Sequence, residues 1–349
     1  MELNKLGVFS KALALATALG IGLGAAAEAR TLKVQTSSTA SHFTLAFLND
    51  KWVPKLKEMT GGSLEIELLP IKAVVPHRET PEAVSMGILD GDLTSINYFA
   101  GRDPAFALMG DLIAGYDSAD QIQTYCADGG GKEMLQKLYD KFQPGVHVVG
   151  CGAYAREAFV SKVPINSVAD FKGVKVRSPE GLAAEVFKRA GASPVSLPGS
   201  EVYTALEKGV IDAADNSAYA NNDANGLHKI AKFPIFPGIH STPILQFTVS
   251  QSAWDKMTPA ERATLETWYL AAYNDMRRIV DMEDRKLVAR DKAAGDLTVI
   301  DWPQGERDKF REIAVGAWKD YAGSSEMAQE VYASHIAFMK KIGLLSADF

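Results

Sequence analysis

Residues 174–215 read VKVRSPEGLAAEVFKRAGASPVSLPGSEVYTALEKGVIDAAD, and this stretch decides the fold. VKVR is a short apolar strand. EGLAAEVFKRAG carries apolar residues at helical spacing and stops at glycine. VSLP, EVYTALEKGV and IDAAD then give strand, helix and strand again. That alternation argues for an α/β layer fold rather than an all-β sandwich. The same order occurs upstream. TLKVQ reads as a strand, residues 42–59 as a helix stopped by Gly61-Gly62, and SLEIELLP as a strand. TPEAVSMGILDGD reads as a helix and LTSINYF as a strand. A second unit begins near residue 146 with VHVVGC. Residues 258–294, rich in Ala, Arg and Glu, form a long helical stretch able to tie two lobes together, and amphipathic helices fill the rest.

The 349 residues are 47% hydrophobic and 23% charged, which excludes a disordered or collagen-like chain and suits about two domains. A net charge of -6 with no basic block makes nucleic acid an unfitting partner. The N-terminus has Lys5 and Lys11, an apolar stretch over residues 12–24, and A-x-A arrangements ending at residue 29. These are the three parts of a cleaved secretory signal over residues 1–29, with no Cys at the cleavage point to make a lipoprotein. Export permits a Cys126–Cys151 disulfide. Their positions, one in a helical segment and one closing a strand, favour two separate buried thiols instead.

Enzyme motifs are absent: no G-x-S-x-G elbow, no H-E-x-x-H, no EF-hand loop. GGGK at residues 129–132 is followed by Glu133, so it lacks the hydroxyl of a phosphate-binding loop and reads as a turn. Gly150-Cys151-Gly152-Ala153-Tyr154-Ala155 fits G-x-G-x-x-[GA] after a strand, with Asp170 twenty residues on. That acid precedes the next strand instead of ending it, which argues against dinucleotide binding.

Arg177 ends the strand VKVR just before a proline and a helix. Ligands of open α/β sheets sit beyond the carboxyl ends of strands, so this arginine points where a ligand would lie. Arg156 follows the preceding strand's end. A guanidinium holds a carboxylate with two parallel hydrogen bonds. Asp215 and Asn216 close IDAADN, where they read equally as an N-cap turn or as ligand-facing acceptors and amides.

These residues carry a resemblance. LPIKAVVPHRETPEAVSMGILDGD, GRDPAFAL, KVPINSVADFKGVKVRSP and LPGSEVYTALEKGVIDAADNS resemble, in order and spacing, the substrate-binding proteins of tripartite ATP-independent periplasmic (TRAP) transporters. GRDPAFAL resembles the subgroup taking 2-oxo and 2-hydroxy monocarboxylates. The resemblance implies a two-lobed, periplasmic-binding-protein-like α/β fold with a long helix spanning both lobes. Lobe I would take residues 30–150 plus about 241–270, lobe II 151–240 plus about 280–325, and a C-terminal helix 326–349. A small organic acid anion would lie in the interlobe cleft of a periplasmic protein that serves small and large membrane subunits.

By the same resemblance Arg177 is the carboxylate anchor. Arg156 stands where the subgroup has a glutamine that helps hold a cation, which puts a bound cation in doubt, and no other cofactor is implied. Asn216 resembles the asparagine of the family's E-N-P motif, and Asn97 and Tyr98 match a pair of subgroup tyrosines. Two arginines in one cleft call for an anion, because unpaired buried charge is costly. Asp215 and Asn216 would meet its hydroxyl or oxo oxygen, Tyr98, Phe159 and Tyr219 offer walls, and His42 near the first polar turn could reach the cleft. The competing readings are a sensor module with the same cleft and an exported enzyme. The stripe over residues 327–342 suits either a monomer, packed on its own lobe, or a homodimer.

Overall fold

Alternating burial along Arg30–Thr36 turns Leu32 and Val34 into a core while Thr31 and Lys33 face outward, the period-2 signature of a strand. The computed structural model describes residues 29–239 and 242–346, so the export signal read over residues 1–29 lies almost wholly outside the described residues. Among the described residues nine strands form two sheets. The first is built from β1 (Arg30–Thr36), β2 (Leu64–Leu69), β3 (Gly91–Ser95), β4 (Val146–Ala153) and β9 (Ile244–Ser250), in the order β2-β1-β3-β9-β4. β1 runs parallel to β2 and β3, and β9 lies antiparallel between β3 and β4. The second contains β5 (Phe159–Ser161), β6 (Lys175–Ser178), β7 (Ser193–Ser196) and β8 (Ala213–Asp215), in the order β5-β8-β6-β7, with β6 parallel to both neighbours. β3 and β9 are buried along their whole length, as strands covered on both faces are.

The helix read over residues 42–59 is broken in three: Phe43–Phe47, a π-helical turn at Leu48–Trp52, and Val53–Met59. Pro54 near the start of the last piece has no N–H for the α-helical ladder, which forces the change. The strand LTSINYF is likewise cut short. After Ser95 the chain winds into a 3₁₀ turn at Ile96–Phe99, and that turn carries Asn97 and Tyr98 to the strand's end.

The long helix spans Pro259–Ala294, 36 residues or about 54 Å. A Thr258–Glu261 capping box and Pro259 start it, and Gly295 at φ 74° ends it. Its first half packs Trp268, Tyr269, Tyr273 and Met276 against the first sheet, and Leu287 and Val288 pack with Tyr219 and Ala158 of the second lobe. The apolar stripe of the last helix, Glu326–Lys341, turns inward. His335 and Phe338 lie against Tyr116 and Tyr125, and Tyr116 Oη lies 2.8 Å from His335 Nδ1. Among the described residues no helix is long and apolar enough to cross a membrane.

Packing also explains the glycine pattern around Cys151. Gly150 and Gly152 lie inside β4, where a Cβ would meet the Tyr269 ring at 2.8 Å and Gln123 Oε1 at 2.6 Å. Their lack of side chains leaves room for Tyr269 of the long helix and for Gln123 of the helix Ala119–Asp128. The helix Ala119–Asp128 settles on β4 closely enough that Cys126 and Cys151 are joined in a disulfide, with Cα atoms 5.5 Å apart. This corrects the expectation of two separate thiols: neither segment's sequence records that the two pack side by side.

A loop of 25 residues closed by a disulfide is worth about 3 kcal/mol. A Cys126→Ser, Cys151→Ser variant should therefore lose about that much stability in urea unfolding, matched by wild type under dithiothreitol. Free alkylation of both cysteines in unfolded, unreduced protein would exclude the bond.

Candidate functional site

The carboxyl ends of β1, β3, β6 and β8 face one another across the gap between the sheets. A cavity of about 100 Å³ lies there, lined among others by His42, Asn97, Tyr98, Tyr154, Arg177 and Asn216. Arg177 is held at the end of β6 by its strand neighbours Ala214 and Val195 and is 2% exposed. Its Nε donates to the Leu197 carbonyl at 2.9 Å and its Nη1 to the Asp215 carbonyl at 2.5 Å. Nη2 has no protein partner. Two neutral carbonyls fix the guanidinium plane without cancelling its charge, so one N–H₂ edge is oriented and uncompensated.

Gly199 marks the spot that this edge faces. A Cβ there would stand 3.9 Å from Arg177 Nη2, 3.8 Å from Tyr98 Oη and 3.2 Å from Asn216 Oδ1. The absence of a side chain keeps the point between these three groups open. Asn216 is held in turn, since its Nδ2 donates to Asn222 Oδ1 at 2.8 Å while Asn222 Nδ2 donates back to the Asn216 carbonyl at 2.7 Å. On the opposite wall His42 Nδ1 lies 2.7 Å from Thr44 Oγ1, and its Nε2 lies 3.2 Å from Ser217 Oγ. Ser217 also meets Tyr154 Oη at 3.2 Å. Burial pulls the His42 pKa down to about 4, so the ring is neutral near pH 7.

Asp215 contributes its carbonyl, not its carboxyl, to the Arg177 cradle. The carboxyl is buried with Oδ2 unpartnered; desolvation first, then Glu157 and Asp111 nearby, push its pKa well above the usual range against the pull of Arg177. The site thus joins Arg177, Asn216, Asn97, Tyr98 and His42, with Asp215 beneath it.

Four of the residues singled out from sequence do not line this cavity: Asp215 lies beneath it, and three others point elsewhere. Arg156 is turned away and donates to the Asp117 carbonyl at 3.0 Å, lining a separate cavity of about 780 Å³ beside the long helix. Residues 154–158 send Tyr154 and Glu157 to the cleft instead. Two arginines therefore do not converge. Phe159 is core, packed on Phe171 and Phe187 at 5.8 and 5.9 Å. Tyr219 is also core, donating to Asp291 Oδ2 at 2.7 Å. The bulk of an aromatic side chain next to a strand end decides for the core in both.

Sequence reasoning missed Tyr154, Ser217, Gly199 and the contacts across the cleft's mouth. Ser41 Oγ and Thr39 Oγ1 donate to Asn225 Oδ1 at 2.8 and 3.3 Å, Lys72 pairs with Glu201 at 3.4 Å, and Arg78 pairs with Glu180 at 3.3 Å. Each joins one lobe to the other, so the cleft is closed. The polar run over residues 36–41 was the available signal.

Residues 35–324 match the family described as bacterial extracellular solute-binding protein, family 7. The monocarboxylate 2-oxoacid-binding periplasmic protein of Nostoc sp. is 29% identical over 292 residues, 82% of this chain and 78% of that protein. A TRAP periplasmic solute-binding protein from Rhodobacter sphaeroides, solved in an open apo form, is 41% identical, with TM-score 0.73 over 91% of this chain and 100% of that one. One from Pseudoalteromonas atlantica, solved with sodium and pyruvate, shares the fold at 22% identity, with TM-score 0.79 over 91% of this chain and 96% of that one.

A neutral His42 gives no added pull on an anion as pH falls from about 8 to 5. His42 should add no pH dependence to anion affinity over that range, so wild type and His42→Gln should give parallel calorimetric profiles; a rise near 6.5 lost in His42→Gln would make His42 a cationic ligand. For stability the sign is opposite to that of a paired histidine. The unfolded ring takes its proton near 6.5 and the folded ring near 4, so His42 contributes a loss of stability as pH falls through that window.

Proposed function

The chain belongs to family 7 of the bacterial extracellular solute-binding proteins, the solute receptors of TRAP transporters, and from that premise we propose that its cleft captures a small organic acid anion on Arg177. One observation carries the reading: a buried guanidinium, oriented by two carbonyls, whose remaining edge meets no protein acceptor and faces the cavity. A carboxylate placed over Gly199 would take that edge and exchange an uncompensated charge for a charge-assisted pair.

The neighbouring groups favour a ligand with an oxygen beside its carboxylate. Tyr98 Oη can donate to a 2-oxo group, and Asn216 Oδ1 can accept from a 2-hydroxyl. With Arg156 facing elsewhere, the cleft offers one arginine and suits one carboxylate. The small cavity excludes bulky acids. No chemistry on the ligand is called for. The receptor closes on its solute, holds it through contacts such as Ser41–Asn225, and presents it to the membrane subunits, a cycle of domain closure and release. Family and relatives work in the periplasm, with residues 1–29 as the export signal in this reading.

The test is a thermal-shift screen of ligand-stripped mature protein against mono- and dicarboxylates, sugar acids and sulfonates, with and without Ca²⁺ or Na⁺. A true ligand at 100-fold over its Kd adds about 2.7 kcal/mol. A 2-oxo or 2-hydroxy monocarboxylate should shift the melting point. Arg177→Ala should weaken its binding about 100-fold or more, and Arg156→Ala should leave it within about threefold. No response to any anion, or equal loss in both variants, would overturn the assignment.

A further inference from the structure

Away from the cleft, where the Tyr219–Ala224 and Leu227–Ile230 helices meet the end of the long helix, Asp223, His228 and Asp291 converge. Ligand-type atoms from all three lie within 4.8 Å of one another. His228 is 5% exposed, and neither ring nitrogen makes a hydrogen bond; its Nδ1 stands 3.6 Å from Asp223 Oδ1. Asp291 is also buried, and its Oδ2 accepts from Tyr219 Oη at 2.7 Å. The two carboxylates share one cation, Arg290, whose Nη2 is 2.7 Å from Asp223 Oδ1 and 2.7 Å from Asp291 Oδ1.

We propose that Asp223, His228 and Asp291 form a divalent metal site that takes Zn²⁺ in preference to Ca²⁺ or Mg²⁺. An imidazole and two carboxylates suit zinc, whereas the harder ions favour all-oxygen sets. Zinc needs ligand atoms about 3–4 Å apart, so separations of up to 4.8 Å must close by about 1–2 Å to complete the site. The two carboxylates bring two negative charges, and Arg290 answers only one. Its side chain is 50% exposed and can swing into water when the ion arrives. The Tyr219 hydroxyl then orients the Asp291 carboxylate from behind, the usual role of an outer hydrogen bond at a metal. The ion would pin these two short helices to the long helix. Asn222, in the first of them, holds Asn216 at the cleft, so the metal would brace the wall of the anion site from outside.

The experiment uses tag-free mature protein stripped by chelator and titrated with ZnCl₂ by calorimetry and thermal shift, with CaCl₂ and MgCl₂ as comparisons. One Zn²⁺ per chain should bind and raise the melting point, and the calcium and magnesium salts should not. His228→Ala should abolish the zinc response while the anion response of the cleft persists, which also reports that the variant folds. Arg290→Gln, removing the competing cation, should tighten zinc about tenfold. Cobalt substitution gives a readout free of variants, through visible bands of a nitrogen–oxygen site. Absence of saturable zinc binding in both wild type and Arg290→Gln would overturn the proposal, as would binding that survives His228→Ala. Neither result bears on the anion cleft, whose own screen is separate.

Discussion

A positive charge that cannot leave organises this protein. Arg177 sits at the end of β6 with its backbone paired between two other strands, its Nε and Nη1 tied to carbonyls and its Nη2 without a partner. Backbone carbonyls direct a guanidinium without neutralising it, so the surrounding structure keeps a standing demand for an anion at one point in space. The packing around that point preserves the demand. Gly199 withholds a side chain, and the Asp215 carboxyl, which could have quenched the charge, is itself driven toward its neutral form by burial and by nearby Glu157 and Asp111.

The scaffold transmits this constraint outward. Asn216 is locked by Asn222, whose helix is fastened to the long helix twice, through Tyr219 to Asp291 and through the Ala220 amide to Asp284 Oδ1 at 2.7 Å. The first half of the same helix is embedded in the core of the other lobe by Trp268, Tyr269 and Tyr273. One rigid element therefore sets the frame within which the walls of the cleft meet. The mouth contacts are of another kind. Ser41–Asn225, Lys72–Glu201 and Arg78–Glu180 are polar and largely solvent-exposed, worth at most about 1 kcal/mol each. Contacts that weak can break as the lobes part, whereas the buried frame stays intact.

Much of the fold was legible from residues alone. Period-2 alternation in β1 and β2, helical spacing between β6 and β7, and the glycine stops are local properties that any chain context would respect. The departures have local causes too: Pro54 interrupts a helix, and the turn after Ser95 ends a strand early so that Asn97 and Tyr98 reach the site. Cavity-lining residues were legible where strand ends announced them, as at Arg177 and Asn216. They were illegible where a side chain's direction depended on a neighbour far along the chain. Phe159 and Tyr219 stand beside site strands and still belong to the core, because Phe171, Phe187 and Asp291 lie on the side they face.

By itself the sequence determined the α/β alternation, the arginine and amide at two strand ends, and the helical stretch long enough to reach both lobes. These follow from residue period, glycine stops and charge, which act over a few residues. Only the tertiary structure decided that Arg156 and Arg177 part company, that Cys126 meets Cys151 across 25 residues, and that Ser41 meets Asn225 across 184. Those outcomes depend on which strands lie side by side and which way a linker turns. Burial and electrostatics settle such choices over the whole molecule at once.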